Sequence, residues 1–199
     1  MLGAIKYNLT HLLDFRGRDA RQTFWYYVLF LVVLNFAIGM AVAIPVMFGA
    51  IGTAIEAAQA GVGEQEMQAQ MMAQMQGAVG GTVWVSLATS IAMALLMLAA
   101  FVRRLHDSDK TGWWALVPLG AQAASTVVSI RMMDAMQALM RDAAVMGGDP
   151  VKVQAIMERQ QEFAGYGLIG WIGPLVVIGF GILKSTDGPN RFGEEPVRF

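Results

Sequence analysis

Four stretches of the chain, residues 24–46, 82–102, 113–130 and 164–183, contain no Asp, Glu, Lys, Arg or His, and polar segments separate them. A helix rising ~1.5 Å per residue needs about 20 apolar residues to cross a hydrocarbon core, so each stretch predicts a transmembrane helix. The first follows Arg16, Arg18 and Arg21 and opens on Phe24, Trp25, Tyr26 and Tyr27, a cation-then-aromatic order typical of a membrane interface. Asn35 is its one strongly polar member. The third carries Pro118, Gln122, Ser125, Thr126 and Ser129 and is the least hydrophobic. The fourth holds Gly165, Gly167, Gly170, Gly173, Gly179 and Gly181, small residues that let helix backbones approach closely.

The polar segments have patterns of their own. Ile5, Leu9, Leu12 and Leu13 recur at helical spacing ahead of the first stretch, which predicts a short helix lying on the membrane surface. Between residues 131 and 163, Met132, Met136, Leu139, Met140 and Ala143 form one amphipathic helix. Gly147-Gly148 interrupts it, and Asp149-Pro150 starts a second helix whose apolar face is Val153, Ile156 and Met157. Residues 184–196 hold Asp187-Gly188-Pro189-Asn190, a turn-rich tail. The expected fold is therefore all-α: a single polytopic membrane domain over residues 1–199, with four transmembrane helices, an N-terminal interfacial helix and outer amphipathic helices.

Composition agrees with that class. The chain is 56% hydrophobic and 15% charged, too apolar for an ordinary soluble domain. A net charge of -1 conceals an uneven distribution. Lys6, Arg16, Arg18, Arg21, Arg103, Arg104, Lys110, Lys184, Arg191 and Arg198 fall in segments that four spans place on one side, and Arg131, Arg141, Lys152 and Arg159 fall on the other. Residues 53–81 contain three glutamates and no Lys or Arg. The positive-inside bias then puts residues 1–23, 103–112 and 184–199 in the cytoplasm and residues 53–81 and 131–163 in the periplasm of a bacterial inner membrane. Ala41-Val42-Ala43 has the form of a signal-peptidase site, but the apolar run before it is longer than an h-region of about 7 to 15 residues and follows a polar segment, so no cleavage is expected. Cysteine is absent, which excludes disulfides and thiolate chemistry, and no basic block long enough for nucleic acid is present.

Three polar motifs fall on the predicted cytoplasmic face. They are Gly17-Arg18 through Arg21 with Phe24 and Trp25; Arg103-Arg104-Leu105-His106-Asp107 with Gly112-Trp113; and Gly188-Pro189-Asn190-Arg191-Phe192-Gly193 with Pro196. Together they resemble the marks of the bacterial inner-membrane family catalogued as domain of unknown function 805. That resemblance implies a small multi-span plasma-membrane protein with no assigned reaction. Asp109-Lys110-Thr111 departs from the family pattern before Gly112-Trp113, Phe192 stands where tyrosine is common, and both outer segments are longer than usual.

Arg18, Arg21, Arg103, Arg104, His106, Asp107, Asn190 and Arg191 are thus the candidate site. Asp107 or Asp187 is expected to pair with an arginine, and Asn190 to bond carbonyls at the end of the second span, as a structural or ligand-binding clasp. A sharper reading makes Arg103, Arg104, His106 and Asp107 an enzyme or receptor site for a phosphorylated lipid or ligand. No nucleophile or metal set accompanies His106 and Asp107, so no enzyme is expected. Met67, Met71, Met72 and Met75 offer thioethers suited to Cu(I), yet methionine more often fills apolar contacts, and no metal or cofactor is expected. A transporter or channel acting as an oligomer is the alternative class, although ion-coupled carriers place ionisable residues inside the bilayer and the four stretches have none. Membrane lipids are the expected partners, with other membrane proteins or a second copy beside them.

Overall fold

The computed structural model describes residues 1–145 and 167–196, with side chains left undescribed at parts of residues 64–79 and at 136–145. Its elements are α1 (Leu2–Thr10), α2 (Arg21–Gln59), α3 (Glu64–Asp107), a 3-10 turn (Gly112–Ala115), α4 (Leu116–Val145) and α5 (Ile169–Gly181). Among the described residues there is no strand, and the one isolated bridge joins Asn190 and Gly193. The all-helical expectation holds for these residues.

Three stretches, Arg21–Gln59, Gly80–Asp107 and Gly112–Ala135, are long and apolar enough to cross a membrane, and the described part of α5 is a shorter apolar helix of 13 residues. Helices outrun the apolar stretches. At 39 and 44 residues, α2 and α3 are roughly 58 and 66 Å long, about twice the ~30 Å of a hydrocarbon core. Alanine, glutamine and methionine after the apolar stretch are all good helix formers, so nothing in the local sequence stops the helix. Pro45 sits inside α2 and does not end it. At Gly61 the chain does turn. Its φ of +66° suits glycine, and Val62 N–H bonds the Ala57 carbonyl at 3.2 Å, closing the last turn of α2.

The segment expected as a separate outer amphipathic helix continues α4 without a break at Arg131, as far as Val145. The second outer helix and the first residues of the fourth stretch lie outside the described residues.

The chain forms two compact units. One is the helical hairpin Tyr27–Leu95. The other combines Met1–Tyr26 with the chain from Leu96 onward and contains every charged residue discussed below. In that unit α4 and α5 pack closely. A Cβ on Gly173 would lie 3.6 Å from the Pro118 carbonyl oxygen, and one on Gly170 the same distance from Ser125 Oγ, so the glycines set the spacing.

Buried positions hold both apolar side chains, such as Phe24, Tyr27 and Phe101, and charged ones. The largest fully buried side chains include Arg103 and Arg104, whereas Phe36 is 67% and Trp171 64% exposed. Apolar surface turned outward and charge turned inward is the arrangement a helix bundle adopts when lipid surrounds it.

Candidate functional site

The last turn of α3 is the centre of the charged unit. A helix end leaves four carbonyls without intrahelical partners, and they must be satisfied if buried. Here the hinge and the tail supply donors to three of those four, the carbonyls of Leu105, His106 and Asp107, and the N-terminal segment adds one to the Arg103 carbonyl just before them. Asp19 N–H bonds the Arg103 carbonyl at 3.1 Å. Lys110 N–H reaches Leu105 at 2.9 Å while Asp109, at φ +53°, closes the helix in the left-handed conformation. Asn190 Nδ2 bonds the His106 carbonyl at 2.9 Å. Thr186 bonds the Asp107 carbonyl with both its backbone N–H and its hydroxyl, each at 2.9 Å.

Around this helix end lie three arginines. Asp107 is fully buried between two of them. Its Oδ1 accepts from Arg18 Nη2 at 3.1 Å and Nε at 3.3 Å, and its Oδ2 accepts from Arg104 Nη1. Arg18 continues into the tail, donating to the carbonyls of Thr186 and Gly188 at 2.7 Å and of Gly193 at 3.3 Å. A guanidinium has five N–H donors, and Arg18 spends all of them on these partners. Arg104 donates to the Gly181 carbonyl at 3.2 Å, to the Leu183 carbonyl and to Ser185 Oγ at 3.5 Å.

Arg103 faces the other way and holds the N-terminal segment. It donates to Asn8 Oδ1 at 2.6 Å and to the carbonyls of His11 at 2.9 Å and Asp14 at 2.5 Å, and lies over the Tyr7 ring. Its Nε is 3.1 Å from Asp19 Oδ2, an ion pair in which both side chains are 1% exposed. That contact is close without the alignment of a hydrogen bond, since neither Asp19 oxygen nor Arg103 Nε has a hydrogen-bond partner by geometry. Burial pushes the Asp19 carboxyl above its ordinary value, against the attraction of Arg103, so the charged form is tolerated only while that cation stays in place.

His106 lies just beyond the apolar stretch that ends at Val102. Its Nδ1 is 3.2 Å from the Gly17 carbonyl, which makes Nδ1 the protonated nitrogen of the neutral ring. The ring stacks on Phe192 with centroids 3.9 Å apart and planes 5° apart, and Arg191 lies over Phe192 at 4.8 Å while pairing with the exposed Asp109 at 3.0 Å. Burial lowers the His106 pKa from its ordinary 6.5, the Gly17 hydrogen bond opposes that, and the Arg191 charge adds to it. A lowered folded value means that the histidine favours the folded state fully above pH 6.5 and that this contribution is lost as pH falls through the folded value. Thermal stability measured from about pH 8 to pH 5 should therefore fall on the acid side, and His106→Gln should flatten that slope.

The tail has its shape from one tight turn. Asn190 and Gly193 exchange backbone hydrogen bonds at 3.0 Å, and Asn190 Oδ1 accepts from Phe192 N–H at 2.9 Å. Gly193, at φ +135°, adopts a conformation open essentially to glycine alone.

Arg21 stands exposed at the first position of α2 and joins none of these contacts. Asp187 pairs with the exposed Lys184 at 2.9 Å, and Asp107 is the acid between the arginines. Met67 lies half-buried in α3, and the side chains of Met71, Met72 and Met75 are outside the described residues. Among the described residues no cluster of His, Cys, Asp or Glu is arranged to hold a metal.

Sequence reasoning passed over Asn8, Asp19 and Thr186, and it read Gly181 as a small residue for close helix packing and not as an acceptor. Gly181 receives both Arg104 Nε and Trp25 Nε1 on its carbonyl at 3.2 Å, and a Cβ there would lie 2.9 Å from Phe24 and Trp25 ring atoms. Gly181→Ala should cost about 1–3 kcal/mol, read as a lowered unfolding temperature in detergent. Asp19 was legible as an acid between arginines, whereas a glycine valued for its carbonyl leaves no signal in a single sequence.

Helices alone among the described residues, three of them long and apolar enough to cross a membrane, with buried arginines at the end of α3, define the class. Within it, the chain matches the family described as "Protein of unknown function (DUF805)" over residues 12–194 and belongs to that family. No curated protein and no solved structure matches the chain.

Proposed function

We propose that this chain is a four-span protein of a bacterial inner membrane, crossing at residues 24–46, 82–102, 113–130 and 164–183. Both termini and the hinge at 103–112 are cytoplasmic, α1 lies along the interface, and residues 53–81 and 131–163 face the periplasm. Its cytoplasmic clasp is structural and non-enzymatic. It fastens the N-terminal segment, the hinge and the tail to one another, and the protein acts as an accessory component that contacts other membrane proteins or lipids.

The observation that carries the clasp is the exhaustion of Arg18. All its donors are taken up by Asp107 and by tail carbonyls, and Asp107 is the counter-ion it shares with Arg104. A phosphate on Arg18 would have to displace one internal partner for each bond it made, so a ligand gains little there. Buried arginines answered in this way are fasteners.

The cysteine-free chain allows a direct test. A single cysteine at Ala60, in the turn after α2, should react with a membrane-impermeant maleimide in intact spheroplasts, and one at Lys110 only after permeabilisation. The reverse pattern overturns the topology. Loss of protein abundance in both Arg104→Ala and Asp107→Ala is expected of a fastener, whereas normal abundance and folding in both would contradict it. Purification in mild detergent that recovers neither lipid nor protein above background would remove the accessory role.

A further inference from the structure

Helix α1 lies ahead of the stretch matched to the family, and the clasp fixes which way it faces. Ala4 and Asn8 are buried on its inner side, where Asn8 receives Arg103. At 3.6 residues per turn, Leu2, Lys6 and Leu9 share a stripe on the opposite side. Leu2 is 78% exposed and Leu13, just past the helix, 88%, with Leu9 and Phe15 also exposed.

The depth of this stripe is set as well. Arg103 directly follows the uncharged run that ends at Val102, and its guanidinium bonds Asn8 Oδ1 at 2.6 Å and the His11 carbonyl at 2.9 Å. α1 is therefore tethered to within a side chain's reach of the place where the hydrocarbon ends. Lys6 and Arg16 are exposed beside the leucines, and Asp14 is the one exposed acid in residues 1–23. Aliphatic side chains edged by cations, held at the level of the headgroups, suit an anionic lipid surface and no aqueous partner as well.

We propose that α1 docks on anionic phospholipid in the leaflet beneath it, seating Leu2, Leu9 and Leu13 among the upper acyl carbons while Lys6 and Arg16 meet the phosphates. The inference rests on the four-span reading and deepens it by naming the lipid class. Because the anchor is Arg103, lipid contact and the buried clasp are mechanically joined. α1 cannot rotate its leucines away from the bilayer without breaking the bonds to Asn8, His11 and Asp14.

The test uses the full chain reconstituted in vesicles of phosphatidylcholine with and without phosphatidylglycerol. A fluorophore is placed on a single cysteine at Leu13, at Leu95 within the second span, or at Asp187 in the exposed tail, and brominated lipids of either headgroup serve as quenchers. Quenching at Leu13 and Leu95 but not Asp187 is expected, with brominated phosphatidylglycerol the stronger quencher at Leu13. Lys6→Gln and Arg16→Gln should each weaken that preference about fivefold. An unquenched Leu95 overturns the four-span reading itself. Quenching at Leu95 with none at Leu13 overturns the docking of α1 alone. Quenching at Leu13 that is equal for both headgroups and indifferent to Lys6→Gln and Arg16→Gln overturns the anionic selectivity.

Discussion

Asp107→Ala should be the most damaging single change in the chain, lowering stability by about 3–5 kcal/mol and the unfolding temperature in detergent by about 10 °C or more. The carboxylate is the shared counter-ion of Arg18 and Arg104, and all three side chains are 0% exposed. Removing it leaves two guanidiniums in place, because the carbonyls of Gly181, Thr186 and Gly188 still hold their other donors. Two buried cations without a counter-charge cost far more than the lost hydrogen bonds. Asp107→Asn keeps the shape and one acceptor, so its cost should be smaller but still clear. Asp187→Ala is the control. Its partner Lys184 is 81% exposed, and an exposed pair of this kind contributes about 0–1 kcal/mol.

Arg103→Met comes next and has a different signature. It strands Asp19, a buried acid whose ion-pair partner is Arg103, and should cost about 3–5 kcal/mol. It also unties Asn8, His11 and Asp14, so α1 should lose hydrogen-exchange protection ahead of the rest of the chain. The double variant Arg103→Met with Asp19→Leu removes both charges from the interior. Much of the stability should return, because a buried ion pair is often replaced by apolar side chains at little cost, while α1 stays loose because its three anchoring bonds are still missing. Recovery of stability without recovery of protection separates the two roles of Arg103.

Much of this arrangement was legible in the sequence, because the bilayer imposes a simple rule. Uncharged runs of sufficient length had to be helices, and charge had to gather beyond their ends. The three motifs announced themselves as polar clusters at those ends, and the helix end after Arg103 needed donors, which made Asn190 a natural candidate. Composition could not say where helices would continue past the lipid, so α2 runs on beyond Pro45 to Gln59 and α4 beyond Arg131 to Val145. Nor could it rank the arginines. Arg18 and Arg21 are alike in the sequence and lie three residues apart. Arg18, ahead of α2, turns inward to Asp107, while Arg21, the first residue of α2, stays exposed. The tail carbonyls that take up so many donors belong to backbone, which no residue type advertises.

The two faces of the clasp also differ in kind. Arg18 and Asp107 join the N-terminal segment to the end of α3, Arg104 pairs with Asp107 within one turn of that helix, and both arginines extend from there to carbonyls of the tail. Arg103 and Asp19 secure the N-terminal segment to the same helix end with no contribution from the tail. Loss of the first set should open the tail, and loss of the second should free α1.

A double-mutant cycle on Arg18 and Asp107 tests the central claim most directly, with Arg18→Met, Asp107→Leu and the pair of changes compared by thermal unfolding of the detergent-solubilised protein. A coupling of about 1–3 kcal/mol is expected, with the double variant more stable than the single losses would add up to. Additive losses, with no coupling between the two positions, would contradict a clasp built on their contact.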